Sequence, residues 1–261
     1  MAITFDLISD LHLETWDEEF DWSNRATSHY CVVAGDISQD RKLTLNCLKK
    51  LGQNYQAVFY IDGNDEHKDN ISNLGQSYKD FARQLQRIPN VVYLQDNVVV
   101  IEGVALLGTN GWWGFDLDPG IDPEQTKLWW EQNQIDDTSA QSIEDLSRTD
   151  AAYLIRSVQR LQRHRDVRKI LIVTHTVPRK NLIDHDIQLD GTYRFNCMGN
   201  SLMELVNSTD TESKIHTWCF GHYHNPVDRL IDGVRYVNNC RGRGDTEYSN
   251  SVYFPKRIEL D

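Results

Sequence analysis

Five short polar clusters recur along the chain: Asp10-Leu11-His12, Gly35-Asp36, Gly63-Asn64, Thr174-His175 and Gly221-His222-Tyr223-His224. Together they offer the side chains of two Asp, one Asn and four His, and no thiolate. Nitrogen and oxygen donors of this kind suit first-row divalent ions rather than a structural zinc knot. Two such ions, about 3.5–4 Å apart, clamp a phosphoryl group, acidify water and neutralise the charge that develops during in-line displacement. The chemistry to expect is hydrolysis at a pair of divalent metal ions, manganese first, with iron, zinc, nickel or magnesium as alternatives.

Each cluster directly follows a run of β-branched or aromatic residues, which predicts that it sits at the carboxyl end of a strand. Residues 3–8, 30–34 and 57–61 read as buried strands. Leu45, Cys47, Leu48 and Leu51 recur at helical spacing between the second and third, and Leu74, Tyr78, Phe81, Leu85 and Ile88 do so over 71–88. Alternating strands and helices imply an α/β fold with a largely parallel sheet, in which ligands collect outside the carboxyl ends of the strands. From residue 90 on, closely spaced strands at 91–94, 98–101 and 104–108, parted by Asp96-Asn97 and Glu102-Gly103, predict hairpins. A helix over 150–165, a strand over 169–174 and strands near 216–220, 226–230 and 234–238 complete the pattern and call for a second sheet packed on the first. The stretch 110–147 is the least regular, with Trp112, Trp113, Trp129 and Trp130 amid Asp116, Asp118, Asp122, Asp136 and Asp137. It reads either as a lid or substrate wall or as a long surface excursion pinned by its Trp pairs.

The 261 residues read as one domain, 1–261, with the Trp-rich insertion near 110–147, because clusters spread from residue 10 to residue 224 cannot be divided without dividing the site. Twenty-seven Lys and Arg against 39 Asp and Glu leave a net charge of −12, which disfavours a broad basic face for duplex nucleic acid. The expected partner is a small phosphorylated substrate held by local charge. Five Cys without CxxC spacing, no signal-like amino terminus and no apolar run near the ~18–20 residues of a membrane span point to a cytoplasmic protein with reduced thiols and no membrane association.

The order of the clusters resembles that of the calcineurin-like metallophosphoesterases, whose pattern runs D-x-H, G-D, G-N-H-[DE], [GT]-H and G-H-x-H. The resemblance implies a four-layer α/β/β/α sandwich of two mixed sheets with a dinuclear metal site at its top edge. It also implies that Asp10, His12, Asp36 and His224 hold one ion while Asp36, Asn64, His175 and His222 hold the other, with Asp36 bridging. A carboxylate can bridge two cations, a neutral imidazole cannot, and the Asn64 amide adds a ligand without charge. Asp6, Asp62 and Asn225 are candidates for orienting the imidazoles. Asn238-Asn239-Cys240-Arg241-Gly242 and Gly108-Thr109-Asn110-Gly111-Trp112-Trp113 look like segments of a bacterial branch of small stand-alone phosphoesterases, with Cys240 where that branch has Pro. The Arg-Gly-Asn-His-Glu signature of protein serine/threonine phosphatases is absent.

One departure bears on mechanism. The family places His after the Asn of the third motif, where it protonates the leaving group, whereas this chain has Asp65. A carboxylate beside two divalent cations is a poor proton donor. Either Asp65 binds a metal or a nearby water and the substrate carries a leaving group that departs without a proton, such as a nucleotide, a pyrophosphate or an aryl group, or His67 swings into the vacant role, or the site has become a binding surface. Arg179, Arg241 and Arg243 are candidates for gripping phosphate oxygens, Arg241 first. The expected activity is a phosphodiesterase or nucleotide pyrophosphate hydrolase. The alternatives are a monoesterase or nuclease on the same scaffold and a non-catalytic module that retains the metals.

Overall fold

The computed structural model describes residues 2–18, 20–133, 138–185, 188–244, 246 and 252–261, with the side chains of 69–72 left aside. Asp136 and Asp137 of the Trp-rich stretch lie outside the described residues.

The first half alternates as its apolar pattern predicts: β1 (Ile3–Ile8), β2 (Tyr30–Ala34), α1 (Arg41–Asn54), β3 (Ala57–Ile61), α2 (Leu74–Leu85) and β4 (Val91–Tyr93). Asp40 and Asn73 cap the two helices by accepting backbone N–H groups of the first turn. β5 (Asn97–Ile101) and β6 (Val104–Thr109) follow, then α3 (Pro123–Asn133), α4 (Ala140–Gln162) and β7 (Lys169–Thr174). The last third holds α5 (Tyr193–Asn196), α6 (Met203–Ser208), β8 (Ile215–Phe220), β9 (Val227–Ile231), β10 (Val234–Asn238) and β11 (Lys256–Leu260).

The strands form two mixed sheets, ordered β11-β1-β2-β3-β4 and β5-β6-β7-β8-β10-β9. In the first, β1 to β4 run parallel and β11 is antiparallel at the edge. In the second, β6, β7, β8 and β10 run parallel, with β5 and β9 antiparallel at the two edges. Period-two alternation sends each strand's side chains to two different layers. Val32 and Ala34 of β2 face Leu106, Leu171 and Cys219 in a core between the sheets, whereas Cys31 and Val33 turn outward onto Leu48 and Phe81 of α1 and α2. On the far side, Ala105, Ile170 and Ile172 pack against Ala151, Leu154, Val158 and Leu161 of α4 and Met203 and Val206 of α6. Helix, sheet, sheet, helix is therefore the layering, as expected.

Several details differ from the sequence reading. The Asp96-Asn97 turn does not close a hairpin, because β4 ends the first sheet and β5 opens the second; only β5 and β6, across Glu102-Gly103, pair as one. That turn needs left-handed backbone at both central residues, and Glu102 and Gly103 have φ 50° and 81°. The stretch read as irregular carries α3 and the first turns of α4, which begins at Ala140 under a Ser139 cap rather than near 150. Among the described residues no helix is long and apolar enough to cross a membrane, and all five Cys are buried free thiols.

Candidate metal centre

Every polar cluster sits where a parallel strand ends: Asp10 and His12 after β1, Asp36 after β2, Asn64 after β3, His175 after β7, and His222 and His224 after β8. Since the first three strands belong to one sheet and the last two to the other, their carboxyl ends meet at one edge of the sandwich. The backbone there is held in an unusual shape. Asp10, His12, Asp36 and His222 all have positive φ, at 50°, 42°, 52° and 65°. Non-glycine residues pay for this conformation, and such residues gather at functional sites. Gly63 is required by close approach, since a Cβ there would lie 2.0 Å from Asp36 Oδ1.

The structure brings all seven side chains together. His12 Nε2 and His224 Nε2 are 2.9 Å apart, and His224 Nε2 is 3.5 Å from Asp10 Oδ1. His175 Nε2 lies 3.1 Å from Asn64 Oδ1 and 3.3 Å from Asp36 Oδ2. The same Asp36 oxygen is 3.9 Å from His12 Nε2, so it stands between two groups of donors, Asp10–His12–His224 and Asp36–His175–His222. Asp10 Oδ2 is buried without a hydrogen-bond partner. A buried carboxylate oxygen left unpaired carries a desolvation cost unless a ligand satisfies it. Buried carboxylates, imidazoles and one amide, crowded at contact distance with an orphaned oxygen among them, fit a pair of divalent cations.

Electrostatics divides the imidazoles. Burial alone would lower the His175 pKa, but Asp36 and Asp10 outweigh it and raise it to about 10; His12 rises to about 8 because Asp65, Asp36 and Asp10 likewise overcome burial. Burial and the neighbouring His175 push His222 down to about 3, and burial lowers His224 too. Asp36 is held far below the ordinary carboxylate range, burial being overcome by His175, His12 and His222.

The groups that orient these rings were not readable from sequence, being mostly backbone. His175 Nδ1 donates to Ala34 O at 2.9 Å, and the His222 ring contacts Cys197 O through Nε2 at 3.2 Å. Asp6 and Asp62 do not serve: Asp6 accepts from Thr27, Ser28 and Tyr55, and Asp62 accepts from Tyr93 and Asn110 and pairs with His67. Asn225 lines the cavity beside the cluster. Glu66 is the side chain that sequence reasoning missed. Its carboxylate accepts Asp36 N at 3.0 Å, Ile37 N at 2.6 Å and Gly63 N at 2.7 Å, which ties two of the ligand loops together. The signal was the acidic fourth position of the third motif.

The catalytic candidates fare differently. Asp65 stands at the centre: its N–H donates to Asp36 Oδ1, and its Oδ2 is 3.3 Å from His12 Nδ1, 3.3 Å from Arg243 Nη1 and 3.0 Å from Gln39 Nε2. His67 is fully buried, its Nε2 2.6 Å from Asp62 Oδ2 and its Nδ1 2.8 Å from Ser77 Oγ, so it is no mobile residue poised to swing inward. Arg241 is also corrected. Its guanidinium is stacked 3.6 Å from the Trp16 ring centroid and 4.7 Å from that of Phe20, outside the cavity lining, and burial lowers its pKa to about 10. Arg243 takes the position expected for Arg241, while Arg179 is engaged with Asp232 at 2.9 Å elsewhere.

A cavity of about 330 Å³ opens over the cluster, and its lining includes His12, Asp36, Asn64, His222 and His224 together with Trp113, Trp129 and Trp130. The Trp residues divide between anchoring the segment and lining the cavity. Trp112, fully buried, donates its indole N–H to Tyr78 Oη at 2.6 Å and anchors the segment, whereas Trp113 stacks on His222 at 5.6 Å and faces the cavity.

No protein-family model matches the chain, and no curated protein matches it by sequence. Solved structures do match. The phosphopantetheinyl hydrolase PptH from Mycobacterium tuberculosis is similar with a TM-score of 0.69 at 16% identity, over 98% of this chain and 95% of that one. A putative 5'-nucleotidase from Staphylococcus aureus matches with a TM-score of 0.52 at 14% identity, over 99% of this chain but 54% of that one. GAP50, the anchor in the inner membrane complex of Plasmodium, matches with a TM-score of 0.51 at 11% identity, over 99% of this chain and 81% of that one. The chain shares its fold with these proteins. Because hydrolases and an anchor protein share it, function has to be argued from the site.

Proposed function

We propose that the chain is a dinuclear-metal phosphoesterase that hydrolyses phosphodiesters or nucleotide pyrophosphates of small soluble molecules. The observation that carries this reading is the position of Asp36 Oδ2, 3.3 Å from His175 Nε2 and 3.9 Å from His12 Nε2, with Asp10 Oδ2 left unpaired beside it. Asp10, His12, Asp36 and His224 would hold one ion, and Asp36, Asn64, His175 and His222 the other. When bound, such a pair supplies Lewis acidity toward phosphoryl oxygens and acidifies water near neutral pH.

The chain's own residues define the rest. Asp65, fixed by Gln39 and Arg243, offers the leaving group an acceptor rather than a proton. This favours esters whose leaving group departs as a stable anion: a nucleotide, a pyrophosphate or an aryl oxide. Arg243 lines the cavity and can fork onto non-bridging phosphate oxygens. A cavity of about 330 Å³ in a chain of net charge −12 favours a small substrate over a nucleic-acid duplex.

The test is turnover of bis-p-nitrophenyl phosphate against p-nitrophenyl phosphate with added Mn²⁺, extended to dinucleotides, nucleoside diphosphate sugars and phosphopantetheinyl esters. The diester is expected to turn over faster, and Asp36→Asn to abolish activity. Hydrolysis of no ester by metal-loaded protein would convert the reading to a binding module.

A further inference from the structure

Among the described residues, two guanidinium groups line the cavity with the metal cluster, Arg243 and Arg194, and their circumstances differ. Arg243 Nη1 is 3.3 Å from Asp65 Oδ2, so its charge is shared with a carboxylate that itself lies 3.3 Å from His12 Nδ1. Arg194 is exposed, and among the described residues its side chain forms no hydrogen bond and no ion pair. The chain has 39 Asp and Glu against 27 Lys and Arg, and still this guanidinium meets the cavity without a carboxylate partner. Its charge is left for an anion from solution.

The backbone that carries Arg194 is fixed. α5 is a single turn in which Phe195 and Asn196 are buried; Asn196 Oδ1 accepts Asp118 N at 2.6 Å, and its Nδ2 donates to Ile121 O at 3.3 Å. Next in the chain, Cys197 O contacts His222 Nε2 at 3.2 Å, and Met198 O accepts Val177 N at 3.0 Å. The Arg194 charge is felt at that contact, since burial pushes the Cys197 thiol up and Arg194 offsets part of the rise.

Leaving-group chemistry narrows the anion. Asp65 has no proton to give, so the departing oxygen must leave as an anion. An alkoxide or aryl oxide offers a guanidinium one oxygen, whereas a phosphate offers two in the fork that a guanidinium matches. Arg243, beside Asp65 and His12, serves the reacting phosphoryl group; Arg194, on another element, is free to take a second one.

We propose that Arg194 binds the leaving phosphate of a substrate with a P–O–P bridge, which makes pyrophosphates the preferred class over simple diesters. The proposal rests on the phosphoesterase reading of the adjacent cluster. In the reaction a water oxygen bonds to one phosphorus and the bridging oxygen departs with the bonding pair, on the phosphate that Arg194 holds. The two water protons pass to the product phosphates or to solvent.

The experiment is isothermal titration of the full chain, loaded with Mn²⁺, using inorganic phosphate and methylenediphosphonate, which has two phosphoryl groups and no bridge to hydrolyse. Arg194→Gln, at an exposed position, should weaken methylenediphosphonate about tenfold or more, the scale of a charged hydrogen bond, and leave phosphate within about twofold. Direct bonding of either ligand to the ions is common to parent and variant, so the difference reports Arg194. Arg194→Lys, which keeps the charge without the fork, should recover part of the loss. Arg243→Gln should weaken both ligands by a similar factor. Equal weakening of both ligands in Arg194→Gln, or weakening of neither, overturns the proposal. A selective loss in a chain that hydrolyses no P–O–P substrate sinks the phosphoesterase reading and leaves the anion site standing; hydrolysis of nucleoside diphosphate sugars without a selective loss does the reverse.

Discussion

Replacing His67 by Ala separates its two possible roles. In the structure the imidazole joins Asp62 Oδ2 at 2.6 Å and Ser77 Oγ at 2.8 Å, in a shell of Tyr78, Phe81 and Trp112 rings. Asp62 has no exposure at all, and its pKa is nevertheless below the ordinary range, because His67, Tyr93 and Asn110 together overcome burial. Losing the imidazole removes a hydrogen bond to a charged group, about 1.5–3 kcal/mol, and leaves a cavity that adds to the loss. Tyr93 and Asn110 still hold the carboxylate, so the total should be about 2–4 kcal/mol rather than the larger cost of an abandoned buried charge. Urea unfolding of His67→Ala should show that loss at pH 7. The Asp62 share of it depends on ionisation: a depressed carboxyl pKa stabilises above the unfolded value and ceases to do so as pH falls through the folded one, so the difference should shrink in acid. The kcat of the folded variant should stay within about threefold of the parent, against the 10²–10⁴-fold loss expected of a general acid. Unchanged stability with a hundredfold drop in kcat would refute the structural assignment.

Asp65→His restores a proton donor beside the cluster and should raise turnover of alkyl phosphodiesters by about ten- to a hundredfold, with little change on aryl diesters; loss of activity on both would show that the carboxylate and its pairing to Arg243 are needed. Mn²⁺ at a hundred times its dissociation constant should stabilise the protein by about 2.7 kcal/mol in thermal unfolding, and Asp10→Asn should remove most of that gain at the same concentration. Asp150 is 2% exposed and accepts Gly111 N and Trp112 N; burial, with Asp96 adding to it, lifts its pKa to about 7 despite those bonds. The folded form keeps a proton that the unfolded form has released, so this group should lower stability as pH rises from about 4 to about 7, by up to ~4 kcal/mol. Asp150→Asn should flatten that slope in urea titrations, and a slope as steep as the parent's would count against the buried acid.

Strands buried on both faces were legible to the residue: β1, β2, β3 and β7 have the bounds that their largely apolar runs announce. Elements whose apolar signal is diluted were not. The first turns of α4 carry Gln141, Glu144, Asp145 and Arg148 between the few residues that face inward, and α3 buries one Thr on the main body while its Trp residues face the cavity. β11 reads Lys-Arg-Ile-Glu-Leu, an edge strand with charges on its outer face, so its two inward residues were too few to mark it. At the site, donor types and order were readable because ligand chemistry restricts them. Arg241 was misplaced for a tertiary reason, since its guanidinium is drawn onto Trp16 and Phe20, which lie far from it in sequence.

The backbone of the ligand loops connects fold to chemistry. Four of the seven cluster residues have left-handed backbone, a conformation worth about 1–3 kcal/mol of strain each, and Glu66 holds two of the loops by accepting three N–H groups. The inter-sheet core contributes rigidity, because parallel strands locked face to face give the strained loops no route to relax except by parting the sheets. Donor atoms crowded at about 3 Å with an unpaired carboxylate oxygen among them are therefore fixed before any ion arrives. On this argument, loosening the support should cost metal affinity before it costs fold.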